Sequence, residues 1–252
     1  MHDFINSKTK IIFSPIQNEI MMRSTLFFLT FLSCLFSPTQ SQAQDWPNLK
    51  RFQEANQALT TPDPMNNRIV FMGNSITEGW KRVRPSFFKD HPFINRGISG
   101  QTTPQMLIRF RQDVIELRPK AVVILAGIND IAGNTGPMTL AQTANNIFSM
   151  AELATANNIK VYLCSVLPAF DFPWSPGKEP AQKVIELNAK IKAYAIKNGH
   201  HYVDYFTVMA DDRQGLPKEL AQDGIHPTNK GYEIMEPILL NALNATGIYK
   251  KQ

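Results

Sequence analysis

Short, nearly continuous apolar runs alternate with longer segments of helical periodicity through most of this chain. The apolar runs are Arg68–Met72 (RIVFM), Phe93–Asn95, Ala121–Ala126 (AVVILA), Lys160–Ser165 and Tyr202–Val203. The helical patterns are Pro47–Leu59, Gln105–Leu117, Leu140–Ala156, Ala181–Asn198 and Thr228–Leu243. A strand that is apolar on both faces must be covered on both sides, and a parallel sheet flanked by helices meets that demand. The sequence therefore predicts an α/β fold with a doubly wound parallel sheet.

The composition is that of an ordinary globular protein with one domain. The 252 residues are 43% apolar and 19% charged, and they contain no internal repeat or low-complexity linker. The 26 lysines and arginines exceed the 21 acidic residues without forming a run of like charge, so nucleic-acid binding is not expected. The two cysteines, Cys34 and Cys164, are too few for a disulfide framework and lack the CxxC spacing of a zinc site. Cys164, Trp80 and the Phe87-Phe88 pair are predicted to pack in the core.

The segment Met22–Ala43 has the features of a secretory signal peptide. One arginine precedes an apolar stretch, Leu26–Phe36, that is too short to span a bilayer as a helix. Small residues at Ser41 and Ala43 then fit a cut before Gln44. We therefore expect an exported protein, periplasmic or secreted, with no membrane span after signal removal. The alternatives are a membrane anchor and a buried helix.

The predicted organisation is an N-terminal extension and signal peptide, residues 1–43, followed by a single domain, residues 44–252. The Met21-Met22 pair is an alternative start of translation, and residues 1–20 would then not be made. Cys34 raises the question of a lipoprotein anchor, but Phe31-Leu32-Ser33 before it lack the small residues usual for that modification. Both points stay open at the level of sequence.

A serine follows the first predicted strand, where the chain turns into a helix. Ligands of open parallel sheets bind beyond the carboxyl ends of the strands, so the residues just after each apolar run are informative. In GNSITEG, residues 73–79, Ser75 would present its hydroxyl at that edge beside helix N–H groups that can stabilise an anion. Ser75 is a candidate nucleophile. The alternative is a helix N-cap, with Glu78 completing a capping box.

A glycine and an amide follow the second and third predicted strands. In NRGISGQTT, residues 95–103, the N–H of Gly100 can approach a ligand without a side chain in the way. In GIND, residues 127–130, the amide of Asn129 can donate to an oxyanion without a change of charge. Both are candidate oxyanion donors. The alternative is that they form turns, with Asp130 capping or bracing the loop.

An aspartate and a histidine lie three residues apart in DGIHP, residues 223–227, before the last helix. The carboxylate of Asp223 can fix the tautomer of His226 while the other ring nitrogen serves a hydroxyl. The alternative is a turn with a capping aspartate and a surface histidine. A nucleophile, two oxyanion donors and an oriented base together meet the requirements of acyl transfer.

An irregular insertion with four prolines, Val166–Pro180, follows the fourth predicted strand and is expected to overhang the same edge. Phe170, Phe172 and Trp174 within it are candidate substrate contacts, since aromatic faces stack on sugars or hold short acyl groups. The alternative is that they cover the sheet edge as local core.

The four blocks, in this order from about Arg68 to Leu243, resemble those of the SGNH or GDSL-type hydrolases, including esterases similar to platelet-activating-factor acetylhydrolase. The resemblance implies a Ser75 nucleophile and a His226 base with Asp223 as its partner. It also implies an oxyanion hole formed by Ser75, Gly100 and Asn129. The chain departs from the pattern at Asn74, where many members have aspartate, and at Ile128, where a small residue or threonine is commoner.

The resemblance further implies a flavodoxin-like three-layer α/β/α sandwich with a five-stranded parallel sheet, and no metal or organic cofactor. Members cleave carboxylic esters, and we expect short acyl or acetyl groups on carbohydrate or small molecules. The alternatives are a lysophospholipase or thioesterase of the same family and, in another class, a non-catalytic flavodoxin-like binding module. The natural ester, the acyl length and the oligomeric state are not indicated by the sequence.

Overall fold

The computed structural model describes residues 14–16, 19, 44–59 and 67–249. Asp45–Gln252 form one compact unit. The predictions for the signal peptide Met22–Ala43, the start at Met21 and the environment of Cys34 lie outside the described residues. Over the described residues, no helix has the length and apolar character needed to cross a bilayer, and no group of three His, Cys, Asp or Glu side chains is suited to a metal ion.

The core of the fold is a parallel sheet of five strands in the order β2-β1-β3-β4-β5. The strands are β1 (Ile69–Gly73), β2 (Phe93–Gly97), β3 (Ala121–Leu125), β4 (Lys160–Cys164) and β5 (His201–Val203). Every residue of β1 and β3 is buried, and their valines and isoleucines suit a pleated surface packed on both faces. The prediction of a doubly wound parallel sheet is confirmed, and each strand lies within two residues of its apolar run.

Helices connect the strands. They are α1 (Gln53–Gln57), α2 (Ser75–Val83), α3 (Pro85–Lys89), α4 (Thr103–Asp113), α5 (Ile128–Ala132), α6 (Leu140–Ala156), α7 (Pro180–Lys197), α8 (Phe206–Met209) and α9 (Asn229–Ala245). The helices α6, α7 and α9 match their predicted segments within two residues. The helix α4 ends four residues before the predicted Leu117, and α1, which follows a 3-10 turn at Leu49–Phe52, covers only part of the predicted Pro47–Leu59. Capping boxes begin α4 and α6. The helices α3, α5 and α8 were not predicted, because a helix of four or five residues is too short to show apolar residues recurring at helical spacing.

The helices form a layer on each side of the sheet. Helices α4, α6 and α7 pack side by side, and α2 packs with α3. Trp80 of α2 stacks on Tyr232 of α9, with ring centroids 5.4 Å apart, and on Phe87 of α3 at 5.2 Å. Trp80, Phe87 and Phe88 are buried, as predicted for packing residues. Cys164 is buried too, and burial raises the pKa of its thiol to about 12, which confirms a core role.

The central strands end level with one another. Gly73 at the end of β1 is in register with Gly97 of β2 on one side and with Leu125 of β3 on the other. The connections after β1 and β3 diverge here, which makes this the switch point of a 2-1-3-4-5 sheet and its usual ligand site. The segments containing Ser75, Gly100 and Asn129 therefore leave the sheet at one edge.

Candidate active site

The turn after β1 leaves the hydroxyl of Ser75 free of the helix end. An added Cβ at Gly73 would collide with the side chain of Thr77, so glycine lets the chain enter α2 this tightly. Asn74 is the N-cap of α2, and its side-chain oxygen accepts the N–H of Ile76 at 3.0 Å. Ser75 is the first helical residue and is half-buried. The alternative prediction that Ser75 caps the helix is wrong.

Glu78 braces the loop after β2 instead of completing a capping box. Its carboxylate accepts the N–H of Ser99 at 3.0 Å and also the Ser99 hydroxyl. Its other oxygen pairs with Arg51 at 3.2 Å. Burial raises the pKa of Glu78, but the contacts with Ser99 and Arg51 outweigh burial and hold it below the ordinary value. Glu78 thus ties α2 to the loop that carries Gly100.

The imidazole of His226 lies between Ser75 and Asp223. Its Nε2 is 2.9 Å from Ser75 Oγ, and its Nδ1 is 2.6 Å from Asp223 Oδ2. Because an ionised carboxylate only accepts hydrogen bonds, the proton of the neutral ring belongs on Nδ1. Nε2 is then left to accept from the serine hydroxyl. The fold thus joins a serine to a histidine 151 positions further along the chain.

Asp223 is held in place by its own turn. Its Oδ1 accepts the backbone N–H of Ile225 at 2.9 Å and that of His226 at 2.7 Å. Burial raises the pKa of Asp223, but the hydrogen bonds from the backbone and ring of His226 and from Ile225 outweigh it, so the pKa lies below its ordinary value. The carboxylate therefore stays ionised at neutral pH and favours the Nδ1-protonated form of His226.

Three N–H donors with no acceptor among the described residues occur where the chain leaves the sheet at this edge. Gly100 is exposed and has a φ of 77°, a conformation that favours glycine. Among the described residues, neither its N–H nor that of Ser75 has an acceptor. Asn129 is buried and donates one amide hydrogen to the main-chain oxygen of Gln101 at 2.9 Å. Its second amide hydrogen has no acceptor in the part of the chain that the structure describes.

Asp130, next to Asn129, secures the start of α4. It accepts the N–H of Thr103 at 3.0 Å and the Thr103 hydroxyl at 2.5 Å. Burial raises the pKa of Asp130 to about 6, although the hydrogen bonds from Thr103 favour its charged form. The predicted alternative was that Asp130 caps or braces its own loop, whereas its carboxylate binds Thr103 at the start of α4.

Trp174 of the insertion lies beside the histidine. Its side chain is 46% exposed, and its ring centroid is 6.1 Å from that of His226. Its Nε1 donates to Asn134 Oδ1 at 3.3 Å, and Asn134 Nδ2 in turn donates to the carbonyl of Gly100 at 3.2 Å. Trp174 therefore connects the insertion both to His226 and to the loop of Gly100.

The two phenylalanines of the insertion differ in environment. Phe172 is fully buried and packs against Trp174 at 5.3 Å between ring centroids. A residue without exposed surface cannot contact a substrate, so that prediction for Phe172 is wrong and the local-core alternative holds. Phe170 is 51% exposed and lies under the guanidinium of Arg213 at 5.0 Å. A cleft of about 300 Å³ beside it is lined by Phe170, Arg213, Lys218, Gln222 and Asp223, among others.

Sequence reasoning missed Asn134 and Gln101, which contact predicted site residues, and Arg109, which reaches the site through Gly73 and Gln101. Asn134 and Gln101 lie in loops, where no period distinguishes a structural amide from a surface one. Arg109 had a usable signal. It and Asp113 fall on the stripe of α4 that is buried with Met106 and Phe110, and a charged pair on an apolar stripe calls for a specific partner.

A parallel α/β sheet with a serine, a histidine and an aspartate hydrogen-bonded in series at its carboxyl edge has the architecture of a serine hydrolase. Residues 71–234 match the model of the GDSL-like Lipase/Acylhydrolase family. The chain belongs to that family, and it is an ester hydrolase.

Relatives and solved structures agree with this assignment. The chain is 31% identical to Esterase TesA of Pseudomonas aeruginosa over 184 residues, which is 67% of this chain and 84% of the relative. A GDSL-like lipase from Bacteroides thetaiotaomicron VPI-5482 is 50% identical, with a TM-score of 0.77 over 79% of this chain and 98% of that chain. A provisionally assigned acylhydrolase from Bacteroides fragilis NCTC 9343 is 49% identical, with a TM-score of 0.79 over 81% of this chain and 99% of that chain. The predicted family and its flavodoxin-like fold are confirmed.

Proposed function

We propose that Ser75, His226 and Asp223 are the catalytic triad of an esterase that works through an acyl-enzyme. The observation that carries this proposal is the pair of hydrogen bonds, 2.9 Å from Ser75 Oγ to His226 Nε2 and 2.6 Å from His226 Nδ1 to Asp223 Oδ2. Ser75 Oγ attacks the ester carbonyl carbon while His226 Nε2 takes its proton. The bond to the alcohol oxygen breaks, and the alcohol leaves with that proton. Water, deprotonated by His226, then attacks the acyl carbon, the bond to Ser75 Oγ breaks, and His226 returns the proton to Ser75 as the acid leaves.

The oxyanion hole comprises the N–H groups of Ser75 and Gly100 and the side-chain amide of Asn129. Support comes from their common edge of the sheet and from the absence of a protein acceptor for these donors among the described residues. Donors that are already oriented stabilise the developing oxyanion without reorganising during the reaction. The contacts of Glu78 with Ser99 and of Asn134 with Gly100 hold the glycine in place.

The substrates are short acyl or acetyl esters of carbohydrates or small molecules. An aromatic side chain borders the triad, since the ring of Trp174 lies 6.1 Å from that of His226 and its Nε1 donates to Asn134. The cleft lined in part by Asp223 combines the ring of Phe170 with the polar groups of Arg213 and Gln222. An aromatic face with several hydrogen-bonding groups suits a hydroxyl-rich alcohol better than a lipid tail.

A panel of esters tests both parts of the proposal. We expect the wild-type kcat/KM for p-nitrophenyl esters to fall as the acyl chain lengthens from acetate to octanoate. We also expect the wild type to release acetate from acetylated saccharides. Ser75→Ala should show neither activity. Full turnover by Ser75→Ala would remove the triad from the mechanism. The highest kcat/KM on long-chain esters, lysophospholipids or acyl thioesters would instead establish the alternative substrate classes.

The protein is also proposed to be exported to the periplasm or the medium. Residues 1–43 are then removed, and residues 44–252 form the mature domain. The support is the signal-like segment Met22–Ala43 and the start of the compact unit at Asp45. N-terminal sequencing of the protein recovered from the periplasm or medium is expected to begin at Gln44. Recovery of the intact N-terminus in the cytoplasm alone would contradict export.

A further inference from the structure

A fully buried arginine lies directly beneath the proposed site and takes no part in the mechanism above. Arg109 and its partner Asp113 are both 0% exposed, with 2.9 Å between Nη1 and Oδ2. Burying an ion pair carries a large desolvation cost, and apolar side chains of similar size are often as stable in its place. Stability alone therefore does not account for a guanidinium at this position.

The three nitrogens of this guanidinium reach three different parts of the fold. Nη1 binds Asp113 on its own helix, α4. Nη2 donates to the carbonyl of Gly73 at 3.0 Å, and Nε donates to Gln101 Oε1 at 2.6 Å. The planar fork of arginine presents donors in several fixed directions at once, which a lysine ammonium does not.

The contact with Gly73 fixes the start of the turn that carries Ser75. Gly73 is the last residue of β1, two positions before Ser75. Its carbonyl oxygen also accepts the N–H of Ile98 at 3.2 Å. The same oxygen therefore accepts two hydrogen bonds, one from the loop after β2 and one from Arg109 of α4. The direction in which the chain leaves β1 is thereby tied to both.

The contact with Gln101 fixes the other half of the site. Gln101 follows Gly100 directly, and its main-chain oxygen accepts the amide of Asn129 at 2.9 Å. Its side chain is buried between Arg109 and the carbonyl of Pro47, to which Nε2 donates at 2.8 Å. A shift of Gln101 would therefore move Gly100 and change the hydrogen bond that orients Asn129.

We propose that Arg109 is a positioning residue that sets the distance between the Ser75 turn and the oxyanion loop Ser99–Gln101. This inference rests on the proposed roles of Ser75, Gly100 and Asn129. The guanidinium touches none of the reacting atoms. It joins Gly73 to Gln101, so that the nucleophile and the oxyanion donors are held by one rigid planar group.

The test compares Arg109→Lys with Arg96→Lys, a matched control. Arg96 is also buried, and its Nε and Nη1 donate to Asn56 and to the carbonyl of Asn95, both at 2.9 Å. None of its described side-chain contacts reaches residues 73–75 or 99–101; its partner Asn56 also donates to Asp113 Oδ1 at 2.7 Å, so Arg96 is linked to the ion pair but not to Gly73 or Gln101. The free energy of unfolding of each variant is measured with urea. Its kcat and KM for p-nitrophenyl acetate are measured without urea and well below the melting temperature.

We expect both lysine variants to lose stability, but only Arg109→Lys to lose kcat, by about 10- to 100-fold, because displacing reacting groups by about an ångström has that effect. KM should change little. The rate of Ser75 modification by a fluorophosphonate should fall in parallel with kcat. Equal kcat in the two variants, or a wild-type kcat in Arg109→Lys, would overturn the proposal.

A second pair of variants keeps the proposal testable if Arg109→Lys does not fold. Gln101→Leu removes the acceptor for Arg109 Nε, whereas Gln101→Glu retains it, although both lose the donor to Pro47. We expect Gln101→Glu to keep clearly more of the wild-type kcat, and equal losses would refute the link. Ser75→Ala distinguishes failure of the proposed triad from failure of the positioning role. If Ser75→Ala stays active, the triad proposal is wrong. If Ser75→Ala is inactive and Arg109→Lys has normal kcat, only the positioning role of Arg109 is wrong.

Discussion

The side-chain oxygen of Asn74 accepts the N–H of Ile76, so the helix that begins at Ser75 is capped by the residue before it. Capping and the proposed nucleophilic role thus fall to adjacent side chains. The Ser75 hydroxyl stays available to His226 at 2.9 Å. The asparagine that departs from the family pattern at residue 74 retains an oxygen able to cap.

This division predicts opposite outcomes for two neighbouring substitutions. Ser75→Ala should lower kcat/KM by at least about 10⁴-fold, as loss of a serine nucleophile does, with little change in melting temperature. Asn74→Ala should lower the free energy of unfolding by about 1 kcal/mol, the usual effect of losing an N-cap. Thermal melts and p-nitrophenyl acetate hydrolysis check both. Phosphonate labelling that survives in Ser75→Ala would indicate a different nucleophile.

Asn129→Ala is expected to lower kcat by about 10²–10³-fold, because one oxyanion donor is removed from a buried site. The variant also loses the hydrogen bond to Gln101, so stability must be measured alongside activity. Asn188→Ala is the control, since Asn188 is also buried and its amide donates to a main-chain oxygen, that of Val166, at 2.9 Å. Asn129 has no oxyanion role if the two variants lose kcat equally.

Asp223→Asn is expected to lower kcat by about 10³–10⁴-fold at neutral pH. An amide in place of the carboxylate can donate to Nδ1, which leaves the proton on Nε2 and removes the base that Ser75 needs. Asp212→Asn, an exposed change in a nearby loop, should leave kcat unchanged. The measurement is the steady-state kcat of both variants at neutral pH. A near-normal kcat in Asp223→Asn would show that another group orients His226.

Trp174 is expected to influence substrate choice more than the chemical step. Trp174→Ala removes the aromatic face beside His226 and the hydrogen bond to Asn134, so KM for acetylated saccharides should rise about two- to tenfold, and longer acyl esters should become better substrates relative to acetate. Trp174→Phe should restore the saccharide KM but not the acyl preference. An unaltered substrate profile in both variants would show that Trp174 only covers the core.

Much of the sheet could be predicted because its strands are buried on both faces. Runs such as those that became β1 and β3 have few alternatives to a central parallel strand, and the long helices carry enough turns for a period to appear. The order of the strands in the sheet was not predicted. Nothing in the runs themselves states which strand lies beside which.

The site was predicted at the residues that end strands and missed at those that support them. Ser75 and Asn129 could be named because polar residues after apolar runs must lie near one edge, and His226 because an aspartate lies three residues before it. Whether an aromatic residue of a loop faces solvent depends on packing that has no period, and so Phe172, predicted to contact substrate, is instead buried. The supports Gln101 and Arg109 act through contacts between elements that only the folded chain brings together.

The stability of the fold should depend on pH through Asp130, which supports α4 rather than the chemistry. Burial raises its pKa to about 6, above the ordinary value of 3.8. Between these pH values the folded protein keeps a proton that the unfolded chain has released, so the contribution of this group to stability is present at low pH and is lost as pH rises through 6. A shift of this size corresponds to at most about 3 kcal/mol.

Asp130→Asn should remove that dependence, because an amide cannot ionise and its oxygen can still accept the N–H and hydroxyl of Thr103. Urea unfolding of wild type and variant between pH 4 and pH 8 gives the difference in free energy of unfolding at each pH. We expect the wild type to lose stability relative to the variant as pH rises from 4 to 7, and the difference to level off above that. A difference that is constant with pH would mean that Asp130 is ionised throughout this range, with the hydrogen bonds from Thr103 outweighing the effect of burial.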